Sequence, residues 1–399
     1  MNLKIYQLTL RLVLLAFFLN TSMSAQDSAD KPTEIFLVTV DFFAPPELRN
    51  SLGGGGIPSL TNSGDKIVFS ANKANFFPDF PEDEGALFVY DAKSGISSLL
   101  IEGANISDYS ISADGQHVAF TSDRNDLVPS DTNDEDDVFL TDTLTGETTR
   151  ISVTSDGLEA NGYSKSPSIS KDGTRVSFVS NATNLGSPES FEKVFVHDTQ
   201  TGNTTIVSTA TDGTLGNDSS WNPSISGDGR SVVFISRATN IYLEVEPPFT
   251  FRPGINIYIK HLETGRTENV ARGWDPVLND DGTIVAFTTL DRLAFDENFQ
   301  PLDNNAFEDI YVYDRTTDNF DMASISSDKI QSDAASSKAS ISGDGRYISF
   351  FSPATNLVPG DTNGLFDLFV HDRTTKKTKR ANVSADEIGA NSFTNNNLR

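Results

Sequence analysis

The sequence predicts an all-β protein, a six-bladed β-propeller of four-stranded antiparallel blades. Three observations predict it. Long stretches of 3.6-residue periodicity are missing after the first twenty residues. Ser, Thr, Asn, Asp and Gly dominate the segments between apolar runs, which is turn chemistry. A strand–turn–strand unit recurs six times and is clearest at 166–180, where Lys171-Asp172-Gly173 separates two alternating runs. Glycine in that turn supplies the positive φ that other residues resist.

Residues 1–25 carry Lys4 and Arg11, an apolar run at 12–19, and small residues ending at Ala25. This is the layout of a secretory signal peptide cleaved near Ala25, and the apolar run is too short to span a bilayer comfortably. The exported chain is expected in the periplasm or outside the cell, as a monomer with no membrane span. Residues 26–56 form a leader with one strand at 34–40, expected to pair with the sixth blade. The leader ends in a glycine loop at 53–56, flexible by composition.

Residues 57–385 hold the six units, and 386–399 form a C-terminal tail. The first-turn glycines are Gly64, Gly115, Gly173, Gly229, Gly282 and Gly345, spaced 51 to 63 residues apart. Each unit opens with a short strand such as Pro167-Ser168-Ile169. A second strand ends in Phe69, Phe120, Phe178, Phe234, Phe287 or Phe350. After a variable loop, a third strand reads apolar-aromatic-apolar, as in Val194-Phe195-Val196, and most copies end in Asp. A Thr/Gly-rich turn leads to a fourth strand. Four short strands repeated at this spacing are the signature of a propeller, since a solenoid needs shorter repeats and a sandwich does not repeat.

Charge and composition narrow the function. The net charge of −26 falls to about −28 once Lys4 and Arg11 leave with the signal peptide. Such a chain repels nucleic acid and attracts cations or basic surfaces. Cysteine is absent, which excludes disulfides, thiolate metal sites, a cysteine nucleophile and a lipid-modified cysteine.

Strand alternation sorts the loops. Those after strands one and three are tight and share one face. Those after strands two and four are long and acidic, including 79–84, 130–137, 187–192 and 291–309, and share the other. Long loops on a rigid scaffold are where binding usually resides.

Three long loops repeat one spacing: Asp131, Asn133 and Asp137; Asp303, Asn305 and Asp309; Asp361, Asn363 and Asp367. Oxygen donors at alternate positions suit a hard cation such as Ca²⁺, and Gly364 helps the third copy turn. The alternative is an Asx-turn, each side chain capping its own backbone. A full Ca²⁺ loop adds a bidentate Glu, which none of the copies places, and Lys193 takes the last position in another unit. Trp221 and Trp274 stand two residues before Pro223 and Pro276 of adjacent blades. They form either a platform for a peptide or sugar at the channel or packing between blades. His117, His197, His261 and His371 are scattered over the repeats and read as structural.

The Ser-Ile-Ser-x-Asp-Gly turn, followed by Asp-(Val/Leu/Ile)-(Phe/Tyr)-Val-x-Asp, resembles the WD-like repeat of the TolB propeller and its relatives. The resemblance covers about residues 57–385. It implies a six-bladed propeller. TolB carries an α/β domain before its propeller, whereas about thirty residues here separate the signal peptide from the first blade. Similar propellers sit on prolyl peptidases, but this chain has no Gly-x-Ser-x-Gly elbow and is expected to carry no hydrolase domain.

The expected function is a non-catalytic binding or scaffold propeller. Its acidic long-loop face would engage a cell-envelope protein or peptide, a carbohydrate, or a cation. The alternative is a propeller enzyme, a hydrolase or lyase acting on a sugar or lactone at the channel mouth.

Overall fold

A computed structural model of the chain describes residues 13–15, 37–39, 58–61, 63–72, 85–103, 106, 108–188, 190–242, 254–294 and 302–382. The cleavage region near Ala25, the glycine loop at 53–56, the acidic loop at 79–84 and the tail at 386–399 lie outside the described residues. Six sheets of four antiparallel strands follow one another along the chain, at 59–102, 109–150, 164–206, 220–272, 274–322 and 337–380. Each sheet is built from four consecutive strands in simple up-and-down order. These are blades one to six.

Blade three shows why the pattern folds this way. Ser164–Ile169, Arg175–Ser180, Lys193–Asp198 and Asn203–Ile206 pair in sequence order. Successive side chains on a strand point to opposite faces, so a strand buried on both faces must be apolar on both. Val176, Phe178, Val179, Val194 and Phe195 are all fully buried. Phe178 sits directly opposite Phe195, their rings stacked at 5.6 Å. The same cross-strand aromatic pair recurs in every blade, from Phe69–Phe88 to Phe350–Phe369. The repeated Phe is thus the blade's internal ladder.

Apolar clusters fill the spaces between consecutive blades. Val138 and Leu140 face blade three, whereas Phe139 between them faces blade one. Blades are also stitched along strand one. The hydroxyls of Ser59, Ser110, Ser168 and Ser224 accept hydrogen bonds from the backbone N–H of Ile111, Ile169, Ile225 and Leu278 in the following blade, at 3.2–3.3 Å. The serine of the repeated Pro-Ser-Ile is therefore a connector between blades. Blade five has Val277 at that position.

The leader strand departs from expectation. Leu37–Thr39 pairs with Val13–Leu15 in a separate two-stranded sheet, not with blade six. Blade six already holds four strands, so the leader's short apolar run pairs with the other short apolar run available. Among the described residues, no helix is long and apolar enough to cross a membrane.

Candidate functional site

The propeller axis is lined by the first strands, and its two ends are built differently. At the tight-turn end, the residue before each turn Asp closes toward the axis. Backbone hydrogen bonds of 2.8–3.0 Å run from Ala113 to Lys171, Lys171 to Gly227, Asp228 to Asp280 and Asp280 to Gly343. The Lys171 ammonium reaches past blade four to pair with Asp280. A Cβ at Gly227 would lie 2.7 Å from the Asp280 carboxylate and 2.9 Å from Lys171, so a larger residue there would push this ion pair aside. A Cβ at Gly343 would likewise overlap Asp280. This end is drawn in by backbone and one ion pair.

At the long-loop end, four non-glycine residues adopt left-handed backbone at equivalent positions: Ser166, Asn222, Asp275 and Lys338, with φ of 49–57°. Each sits in a bulge of strand one, where the register slips against strand two. A bulge re-aims side chains, and a left-handed non-glycine residue costs about 1–3 kcal/mol. The re-aimed groups meet across blades. Ser166 donates to Asp108 at 3.2 Å, Asn222 donates to Asp275 at 3.1 Å, and the Lys338 ammonium lies 3.2 Å from Asp275. A half-buried polar rim with both signs of charge thus surrounds the mouth.

Trp221 and Trp274 precede two of these bulged residues and are also half-buried. Trp221 leans on the apolar layers on both sides of blade four, with the Arg237 guanidinium 5.3 Å from its ring centre. Trp274 leans on the layer between blades four and five.

The Asp-x-Asn loops close into three equivalent pockets. In blade two, Arg150 from strand four enters between the carboxylates. Its Nη1 is 2.5 Å from Glu159, 3.1 Å from Asp137 and 3.5 Å from Asp131. Atoms of these three carboxylates lie within 4.8 Å of one another, the spacing of a metal cluster, with a guanidinium in their midst. Ser152 also donates to Asp137. Asn133 accepts from the Glu135 N–H at 2.9 Å and donates to the Ala160 carbonyl at 2.8 Å. Asn133 thus makes an Asx-turn and also ties down the next loop. Burial pushes Asp137 up to about 6, against the opposing pull of Ser152 and Arg150. Burial also raises Asp131.

In blade six, Arg380 lies 3.3 Å from both Asp361 and Asp367, while Asn382 donates to Asp367 at 2.6 Å. Burial and the charge of Asp367 raise the Asp361 carboxyl. Asn363 accepts from the Leu365 N–H at 2.9 Å. In blade five, the Gln331 amide bridges Asp303 and Asp309, donating to each at 2.8 Å, and Asn305 repeats the turn and the tie. Burial pushes Asp309 up to about 6. In blade three, buried Lys193 replaces the last carboxylate, donating to the carbonyls of Gly216 and Asp218 at 2.7 and 2.9 Å.

Arg150, Glu159, Gln331 and Arg380 escape the sequence reading, which weighed only the loop itself. Arg150 and Arg380 occupy the same place in their fourth strands, so aligning those strands would have found them.

The histidines belong to the blades. His197 and His371 hydrogen-bond Thr204 and Thr378 across strands at 2.9 Å, and His261 pairs with Glu268 at 3.0 Å. Burial holds His371 down at about 4.

No protein-family model matches the chain, and neither does any curated protein. Its fold is similar to several solved structures. One is an oligogalacturonate lyase in complex with manganese, 13% identical over 81% of this chain and 75% of that one, with a TM-score of 0.50. A second is the β-propeller domain of the Trilobed protease from Pyrococcus furiosus, 16% identical over 81% and 83%, with a TM-score of 0.49. A third is TolB from Acinetobacter baumannii, 16% identical over 74% of this chain and 65% of TolB, with a TM-score of 0.41. At these identities the likeness is one of fold. The six-bladed architecture expected from the repeats is present.

Proposed function

We propose that the protein is an exported propeller that binds a protein or peptide partner through its long-loop face and catalyses no reaction itself. One observation carries the reading. Among the described residues, eight large apolar side chains are exposed. Six of them, Leu158, Phe191, Leu290, Phe307, Ile330 and Leu365, stand on loops after strands two and four, whereas Ile96 and Leu144 alone stand on the other face. Exposed apolar groups gathered on one face, within an acidic surround, mark an interaction surface. The acidic loops favour a partner with a basic rim. The half-buried Trp221 and Trp274 extend this surface to the channel mouth.

The test compares the two faces. Leu158→Ser/Ile330→Ser and Trp221→Ala/Trp274→Ala address the long-loop face, and Ile96→Ser/Leu144→Ser the turn face. In pull-downs from a cell-envelope extract, the first two should lose partners that the third retains. Equal capture by all three overturns the reading. The alternative, an enzyme acting on a sugar or lactone, draws on the rim of Asp108, Asp275 and Lys338. Turnover abolished by Asp275→Asn would favour it.

A further inference from the structure

Apolar layers join consecutive blades, from blades one and two to blades five and six. Among the described residues, no such layer joins blade six to blade one. The residues placed to build it are more open than their sisters. Leu368 is half-buried, whereas Val138, Val194, Ile257 and Ile310, at the same place in their third strands, are fully buried. Ala71 is half-buried, whereas Ser122, Ser180, Ser236, Thr289 and Ser352, at the same place in their second strands, are 0–1% exposed. The first strand of blade one is also short. It is described over Ser59–Leu60, opposite Ile67 and Val68, whereas that of blade three starts at Ser164, opposite Ser180. In the shared register, Gly55 and Gly56 stand where Ser164 and Lys165 open blade three. Glycine weakens a strand, because it orders more backbone and packs no side chain.

The residues after blade six carry the missing pattern. Three linkers between blades share one length. Fourteen places after the strand-four ends Arg150, Ile206 and Met322 stand Ser164, Ser220 and Ser336. Each serine is fully buried where the next blade begins. Its N–H bonds to the carbonyl of Asp136, Glu192 or Glu308, just before strand three of the preceding blade, at 2.6–2.8 Å. One residue thus stitches two blades. Three places earlier, Asn161, Asn217 or Asp333 accepts from the N–H of Thr183, Thr239 or Thr355 in the next blade at 2.8 Å. Counted from Arg380, the end of strand four in blade six, the same two places hold Thr394 and Asn391.

We propose that the seam between blades six and one is the docking surface of this chain's own tail. Residues 383–395 act as a further linker, and Thr394 lies opposite Ala71 as an added piece of strand one of blade one. The Thr394 N–H takes the Phe366 carbonyl, which occupies the place of Asp136, Glu192 and Glu308 in blade six. The tail then covers Leu368 and pairs the upper part of a strand edge, and both changes favour the docked state.

The chain has no cysteine, so paired cysteines read the contact directly. The control is S220C/S236C, two residues directly opposite with their hydroxyls 2.8 Å apart. Under mild oxidation of the full chain, A71C/T394C should close an intramolecular disulfide as completely as the control, read by peptide mapping without reductant, because directly opposed strand residues meet the geometry of the bond. A71C/L398C, four residues out of register, should remain reduced. T394P removes the stitching N–H and should lower the melting temperature by about 2 °C or more, while T394S melts as the wild type does. The proposal is overturned if A71C/T394C stays reduced while the control closes, or if L398C is captured equally well. Capture of A71C by V38C in place of T394C gives the seam to the leader, and a disulfide-linked dimer gives it to a second copy; either result overturns the proposal. So does an unchanged melting temperature in T394P.

Discussion

Blades two and five build one pocket from one spacing and neutralise it differently. In blade two, three carboxylates surround Arg150. In blade five, Met322 replaces the arginine and Gln331 replaces Glu159, so one positive and one negative charge are lost together. The net fixed charge is the same, but its distribution is not. Blade two keeps its cation inside the protein, whereas blade five holds two carboxylates with an amide between them. The same local motif is therefore closed by a guanidinium in one blade and by an amide in another. What decides is a residue on a different strand.

The comparison breaks most directly at Arg150. Arg150→Ala leaves Asp131, Asp137 and Glu159 clustered without their cation, which should destabilise the protein by roughly 3–5 kcal/mol in urea unfolding. A loss below about 1 kcal/mol would mean that the guanidinium is not the lock.

In blade five, Gln331→Ala removes two hydrogen bonds to carboxylates and should cost less, about 2 kcal/mol in the same measurement. Equal losses in the two variants would erase the distinction between the pockets.

Acid sharpens the comparison further. Burial raises folded Asp137 from its ordinary value of 3.8 to about 6. A carboxyl raised on folding contributes stability that is complete below pH 3.8 and is lost as pH rises through 6. The stability of the wild type relative to Asp137→Asn should therefore be greater at pH 4 than at pH 8. An unchanged difference would contradict the raised pKa.

The smallest expected effect lies outside both pockets. Ser168→Ala removes one hydrogen bond between blades three and four and should cost about 1 kcal/mol. Val277 shows that the position tolerates a side chain without a hydroxyl.

Much of this was legible before the structure. Gly173 and its five counterparts marked the turns, and Phe178 and Val194-Phe195-Val196 marked strands buried on both faces. The sorting of loops onto two faces followed from strand alternation alone. The candidate carboxylates were legible by spacing, but their partners were not. Arg150 is nineteen residues from Asp131, and Glu159 is twenty-eight, in the loop leading to the next blade. Nothing in the local pattern says that these residues meet.

The sequence by itself determined the repeat, the blade and the two faces, because each depends on interactions within a few residues or between adjacent strands. Only the tertiary structure decided which charges share a pocket and how the ends of the channel differ. Lys171 meets Asp280 across 109 residues because the innermost turns converge on one axis, where Gly227 leaves the strap room to pass. Contacts of that kind depend on how blades are placed around a ring, and no two-residue or fifty-residue period records them.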